Sequence, residues 1–230
     1  MTTHLQRIPM AAVALVGLFA VPVYAQTVVG SKHDLRAAGG GTAMATGLVE
    51  VCASCHTPHQ TATAASQDPL WNHTATATAV FGVYTSTTMN ATPAPAEIGG
   101  AALGTQSVSL LCMSCHDGTV SVLSMYNAPN SGAGTILAIA SRINATGQII
   151  SPANMGIVLT DDHPVNFNYD AALVTADPGL RAVNTLPATV PLFAGKVQCA
   201  TCHDVHNPLN APFLTISNTA SALCITCHIK

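Results

Sequence analysis

Charge is what this chain has least of. Only 7% of its 230 residues are Asp, Glu, Lys or Arg, against about 25% in an ordinary soluble domain. Seven basic and ten acidic residues leave a net charge of −3, with no cluster of Lys or Arg. That removes the electrostatic footprint of a nucleic-acid-binding protein. A surface so poor in like charge also ill suits a freely diffusing monomer kept from its copies by repulsion. It suits a subunit that packs against copies of itself. The chain further lacks G-x-G-x-x-G, G-x-S-x-G and H-E-x-x-H, so dinucleotide binding, a hydrolase nucleophile elbow and a zinc protease have no sequence support.

Beyond residues 10–23 no apolar stretch approaches the ~20 residues a membrane-spanning helix needs. That first run is interrupted by Pro22 and preceded by a segment with Arg7 as its fixed charge. Val23-Tyr24-Ala25 places acceptable residues at −3 and −1 of a cleavage point before Gln26. The expectation is a secretory signal peptide over 1–25 and no membrane anchor. The product, residues 26–230, would be exported to the cell surface or beyond, with the periplasm as the alternative.

No cysteine is left over either. The eight cysteines fall into four C-x-x-C-H strings: Cys52–Cys55–His56, Cys112–Cys115–His116, Cys199–Cys202–His203 and Cys224–Cys227–His228. This spacing is the attachment signature of c-type haem. The two sulfurs add to the haem vinyl groups and the adjacent imidazole takes one axial position of the iron. A zinc half-site could supply one such string by accident, and an exported chain could pair its cysteines as disulfides. Disulfides leave four following histidines unexplained, and one zinc half-site does not recur four times. Four covalent haem c groups are the expectation.

Setting the remaining histidines against these strings exposes an internal repeat. The first half reads His33, then Cys52-x-x-Cys55-His56-x-x-His59, then Leu111-Cys112-x-x-Cys115-His116. The second reads His163, then Cys199-x-x-Cys202-His203-x-x-His206, then Leu223-Cys224-x-x-Cys227-His228. Such duplication fixes how the rest is read. The domain expected over 26–230 thus has two related halves, about 26–126 and 156–230. Each half supplies two haem sites and four histidines, the number two bis-histidine irons require. His33, His59, His163 and His206 are the expected second axial ligands. His56 and His59 lie three apart, on one face of a helical turn. They cannot approach one iron from opposite sides, so His59 serves a haem other than that of His56, and His206 one other than that of His203. Acids flanking His33 and His163 could orient those rings through the second nitrogen. His73 has no counterpart in the second half and reads as a structural, hydrogen-bonding residue, or as a reserve ligand. His4 falls in the signal peptide. Met113 lies inside a C-x-x-C loop, poorly placed to reach an opposite haem face, and Met44, Met89, Met125 and Met155 share no repeat position, so the methionines read as flexible packing against haem faces.

With roughly fifty residues per haem, the macrocycles must supply much of the apolar core. The expected fold is a multihaem cytochrome c: mostly coil, with short helices and a few short strands wrapped around four stacked covalent haems. Strands are expected within 79–85 and 156–160, and short helices over 107–111 and 120–126. Gly39-Gly40-Gly41, Pro93-Ala94-Pro95 and the segments 127–134 and 187–191 read as loops.

Two imidazoles on each iron leave no open coordination position, and no C-x-x-C-Lys variant is present. The expected role is electron transfer rather than catalysis, with a small multihaem reductase as a third-ranked alternative. Gly30-Ser31-Lys32-His33-Asp34-Leu35, Cys52–His59, Pro69-Leu70-Trp71-Asn72, Leu111–Thr119 and Asp162-His163-Pro164-Val165 together resemble the doubled-C-x-x-C-H multihaem cytochromes over nearly the whole of 26–230. The resemblance is greatest to the extracellular tetrahaem cytochromes of metal-reducing bacteria. It implies a subunit that assembles head-to-tail into a filament and exchanges electrons with redox partner proteins and extracellular acceptors. Relatives of this kind often carry arginine after the Trp-Asn pair, where His73 stands here. The chain stops two residues after His228, which would leave the last haem thinly covered, free to meet the next subunit in a head-to-tail contact. A monomeric periplasmic or surface shuttle is the alternative.

Overall fold

A computed structural model of the chain describes residues 27–36, 45–46, 48–57, 70–99, 107–127, 135–136, 142–150 and 152–229. The strands are two residues long and paired in twos. β1 (Ala45–Thr46) runs antiparallel to β3 (Thr135–Ile136), and β5 (Phe167–Asn168) antiparallel to β6 (Lys196–Val197). β2 (Gly82–Val83) and β4 (Val158–Leu159) pair parallel, Gly82 opposite Val158. These two lie inside the segments where the sequence calls for strands, one in each half. Four short α-helices follow: α1 (Val108–His116), α2 (Ala171–Ala176), α3 (Cys199–Cys202) and α4 (Ala222–Cys227). The rest of the described chain is turn and coil with three short 3-10 turns, as expected of the fold class.

Local chemistry fixes where the helices start. Ser107 caps α1 by accepting from the Leu110 N–H, and Asp170 caps α2 by accepting from Leu173 at 2.9 Å, each satisfying one of the orphan donors of a first turn. α1 begins near the expected position but runs on through the whole second motif to His116. The helix expected over 120–126 is absent. The Ser121 hydroxyl accepts from Leu123, Val122 donates to Gly147 and Tyr126 to Asn72. Side-chain and long-range partners take the donors that an i→i−4 ladder would need.

The apolar core is divided. Leu48, Val122, Leu123, Ile143 and Ile149 form one cluster, with Cys115 against it. Phe167, Tyr169, Leu173, Leu180 and Val197 form a second, with Cys227 against it. Phe81, Ile98, Met113 and Leu159 form a third. Among the described residues the three clusters hold four or five buried side chains each, and two of them have a motif cysteine packed against them.

The halves are joined by specific polar contacts. Ser109 on α1 accepts at Oγ from the Cys199 N–H and donates its own N–H to Gln198 Oε1, both at 3.1 Å, in buried surroundings. Asn166 Nδ2 donates to Ser107 Oγ at 2.8 Å. The Lys196 ammonium sits 2.5 and 2.6 Å from the two Glu97 oxygens. These contacts bring α1 against α3, and with them the second and third C-x-x-C-H strings.

Candidate functional site

Each C-x-x-C-H string is a helical turn closed by its own backbone. The histidine N–H donates to the carbonyl of the first cysteine: His56 to Cys52 at 2.8 Å, His203 to Cys199 at 3.1 Å and His228 to Cys224 at 3.0 Å. The second string lies wholly within α1.

Behind two of these turns the repeat continues further than the sequence pattern discloses. His56 forms an antiparallel bridge with Trp71, and His203 one with Leu214. Thr57 donates to Leu70 O and Asn72 to Cys55 O, both at 2.8 Å. In the second half Asp204 donates to Phe213 O at 2.7 Å and Thr215 to Cys202 O at 2.9 Å. Leu70 and Phe213 each adopt a left-handed backbone, φ 55° and 63°, uncommon for side chains this large. The segments 70–72 and 213–215 are therefore equivalent backstops to the first and third motifs. Sequence reading misses this because Leu-Trp-Asn and Phe-Leu-Thr share little beyond an apolar start, and their offsets from the motif differ.

Four free thiols are pushed up by burial: Cys55 and Cys202 to about 11, Cys115 to about 12, and Cys227 in the same direction. Cys112 and Cys199 lie close enough to perturb each other, which raises the first and lowers the second. Cys52 and Cys224 are exposed. Successive motifs lie side by side: Cys55 feels Cys115, Cys112 touches Cys199, and Cys202 feels Cys227.

The histidines come together in pairs. The ring centres of His33 and His116 are 6.0 Å apart, those of His56 and His206 6.3 Å, and those of His163 and His228 6.4 Å. Each pair sets a motif histidine opposite one of the isolated or trailing histidines. Two metal–imidazole bonds of about 2.0–2.1 Å, plus ~1.1 Å from each nitrogen to its ring centre, give about 6.3 Å between centres. All three gaps therefore have the width of one six-coordinate iron between two imidazoles. His206 faces His56, not its near neighbour His203. His59 lies outside the described residues, as does Met44.

Second-nitrogen partners suit the same chemistry. A carbonyl can only accept, so Nδ1 carries the proton where His116 meets Ala153 O (2.7 Å), His163 meets Pro164 O (2.8 Å) and His203 meets Pro212 O (3.0 Å). That tautomer leaves Nε2 with its lone pair for a metal. The flanking acids do not do this work. Asp34 is taken by Arg36, and His163 turns to a carbonyl instead. Among the described residues His206 alone has an acid near its Nδ1, Asp204 at 3.5 Å. Burial, with His116, His206 and His203 close by, pulls His33 down to about 4, so it is a neutral imidazole at ordinary pH.

A cavity of about 200 Å³ is lined by His163, His228, Cys202, Cys227, Tyr169 and Met89 among others. One of the three facing pairs and two motif cysteines thus border an apolar-walled space, the surroundings a macrocycle held by those residues requires. Among the described residues no three His, Cys, Asp or Glu side chains converge as direct ligands of a bare metal ion. The histidines come as opposed pairs beside C-x-x-C motifs, an arrangement that fits haem.

His73 stands apart. It is buried at 1% exposure, with Thr74 O 2.8 Å from Nδ1, Ser121 O 2.9 Å from Nε2 and Cys115 Sγ 3.5 Å from Nε2. Among the described residues no imidazole faces it. Its surroundings are those of a structural brace. Of the methionines, Met113 is buried in the third cluster, Met125 packs on the first and Met89 lines the cavity. Met155 is 41% exposed to solvent in the polypeptide alone. No described helix is long and apolar enough to cross a membrane.

Residues 191–230 match the model of the doubled CXXCH motif family. The match covers the third and fourth motifs and supports a multihaem c-type cytochrome. The motif implies covalently bound haem c and an electron-transfer role. A search of curated proteins finds no match to this chain.

Proposed function

We propose that the chain is a tetrahaem c-type cytochrome that carries electrons along a row of four haems, each with two histidine ligands. The observation that carries this reading is the set of facing histidine pairs at 6.0, 6.3 and 6.4 Å, each beside a C-x-x-C pair. Cys52 and Cys55 with His56 and His206 would hold the first haem. Cys112 and Cys115 with His116 and His33 would hold the second, and Cys224 and Cys227 with His228 and His163 the fourth. Cys199, Cys202 and His203 would hold the third, leaving His59 as its remaining ligand. When bound, the irons supply one-electron exchange between ferric and ferrous states.

The polypeptide's part is to hold and exclude. The Nδ1–carbonyl bonds fix the rings of His116, His163 and His203 so that each presents Nε2. Two imidazoles per iron leave no place for a substrate, which favours electron transfer over a small reductase. The side-by-side order of Cys55 with Cys115, Cys112 with Cys199 and Cys202 with Cys227 supports a continuous row in chain order.

The finer reading is an exported subunit of an extracellular head-to-tail filament, whose row of haems continues from copy to copy and delivers electrons to extracellular acceptors or redox proteins. It rests on the low charge of the chain, 7% of residues, which favours packing against copies of itself. Low-spin spectra for all four haems in the matured protein test the ligation, since a high-spin fraction contradicts it. Negative-stain imaging across concentration and pH tests the filament. Uniform thin filaments are expected, whereas single particles throughout would make the protein a monomeric shuttle.

A further inference from the structure

The two backstop segments are equivalent in backbone but not in side chain. Trp71 occupies the place that Leu214 holds in the second half. Trp71 is the only tryptophan of the chain, and its indole N–H is buried without a partner among the described residues. Indole is a donor only. A buried donor left unsatisfied is destabilising, and such groups are rare in native proteins. Packing alone would be served by leucine, as it is at Leu214.

Trp71 is also held rigidly to the first motif. Its neighbour Asn72 donates from Nδ2 to Ala53 O at 2.6 Å and to Asn127 O at 2.8 Å, and accepts the Asn127 N–H at 2.8 Å. With the Asn72 N–H on Cys55 O, the segment is tied to the C-x-x-C loop at two carbonyls. The indole stands edge-on to the His56 ring, 5.8 Å between centres at 85°. His56 in turn faces His206. A lone donor therefore sits in the wall of the first haem site and has no counterpart at the third.

On the cytochrome reading above, the only strong hydrogen-bond acceptors that haem c brings are its two propionate carboxylates. We infer that Trp71 donates its indole N–H to a propionate of the haem held by Cys52, Cys55 and His56, and so distinguishes that haem from the one held by Cys199, Cys202 and His203. A donor to the carboxylate favours its ionised form and offsets its negative charge. Removal of the N–H therefore raises the propionate pKa. It also leaves more uncompensated negative charge beside the iron, which favours the ferric state and lowers that haem's midpoint potential.

Two measurements test this on the matured holoprotein. With the indole nitrogen labelled in the wild type, one N–H resonance is expected, slowed in exchange by about tenfold or more relative to free tryptophan, the factor that ~1.4 kcal/mol of hydrogen bonding gives. In W71F, one of four midpoint potentials is expected to fall and its pH dependence to move to higher pH, while the other three stay. An indole N–H exchanging at the free rate overturns the inference even if W71F takes up haem poorly. So do unchanged potentials and pH profile in a W71F protein that retains four haems. Fewer than four haems in the wild type would instead defeat the cytochrome reading itself.

Discussion

Replacing His206 by alanine is expected to open one iron and leave three untouched. The gap between His56 and His206, 6.3 Å between ring centres, leaves room for one metal and its two bonds and for nothing else. Loss of one ring turns a six-coordinate iron into a five-coordinate one. The near contact of His206 with the rest of the polypeptide is Asp204 at 3.5 Å, so the substitution acts through the iron and not through the packing of the chain. The ferrous variant should therefore bind one carbon monoxide per chain and the wild type none, read from the difference spectrum against total haem. One quarter of the haem should become high-spin. No carbon monoxide binding by H206A would refute the pairing of His56 with His206. Binding by the wild type would refute bis-histidine ligation more broadly.

Asp34→Asn should loosen the loop that presents His33. Hydrogen bonds from Arg36 hold the Asp34 carboxyl down to about 2, with the Gly30 N–H adding to it. Because its folded pKa lies below the unfolded value, the stabilisation is present above about pH 4 and is lost as pH falls towards 2. Wild type should lose the low-spin signal of one haem across that window, and D34N should show the loss at neutral pH; an unchanged D34N spectrum would contradict this. Tyr169→Phe should lower the midpoint of thermal unfolding by removing a hydroxyl that donates to Arg181 O at 2.9 Å and approaches Cys227 O at 3.3 Å. The cost expected for that bond is about 1 kcal/mol, and a midpoint equal to wild type would show that the bond contributes nothing.

The sequence was most legible where chemistry is written in fixed spacing. The four C-x-x-C-H strings and the repeat of single histidines around them identify the residues that the structure groups into facing pairs. Helical spacing separates His206 from His203 at the level of sequence, whereas the 6.3 Å approach of its ring to that of His56 is seen only in the structure. The strands within 79–85 and 156–160 follow from clustered β-formers, although their parallel pairing across the two halves does not. Other features depend on contacts remote in sequence. Residues 120–126 favour a helix by composition, but Gly147 and Asn72 take their backbone donors. Asp34 and Asp162 suggest acids orienting imidazoles, whereas Arg36 captures the first and Pro164 O replaces the second. Trp71 and Leu214 become equivalent only when the backbone hydrogen bonds behind His56 and His203 are seen together.

The central claim is four covalent haems, and the intact mass of the matured, coloured protein under denaturing conditions tests it most directly. The account predicts one species carrying four haems, with all eight cysteines unreactive towards a thiol reagent. A species with fewer haems, or with free thiols in any C-x-x-C pair, would contradict it.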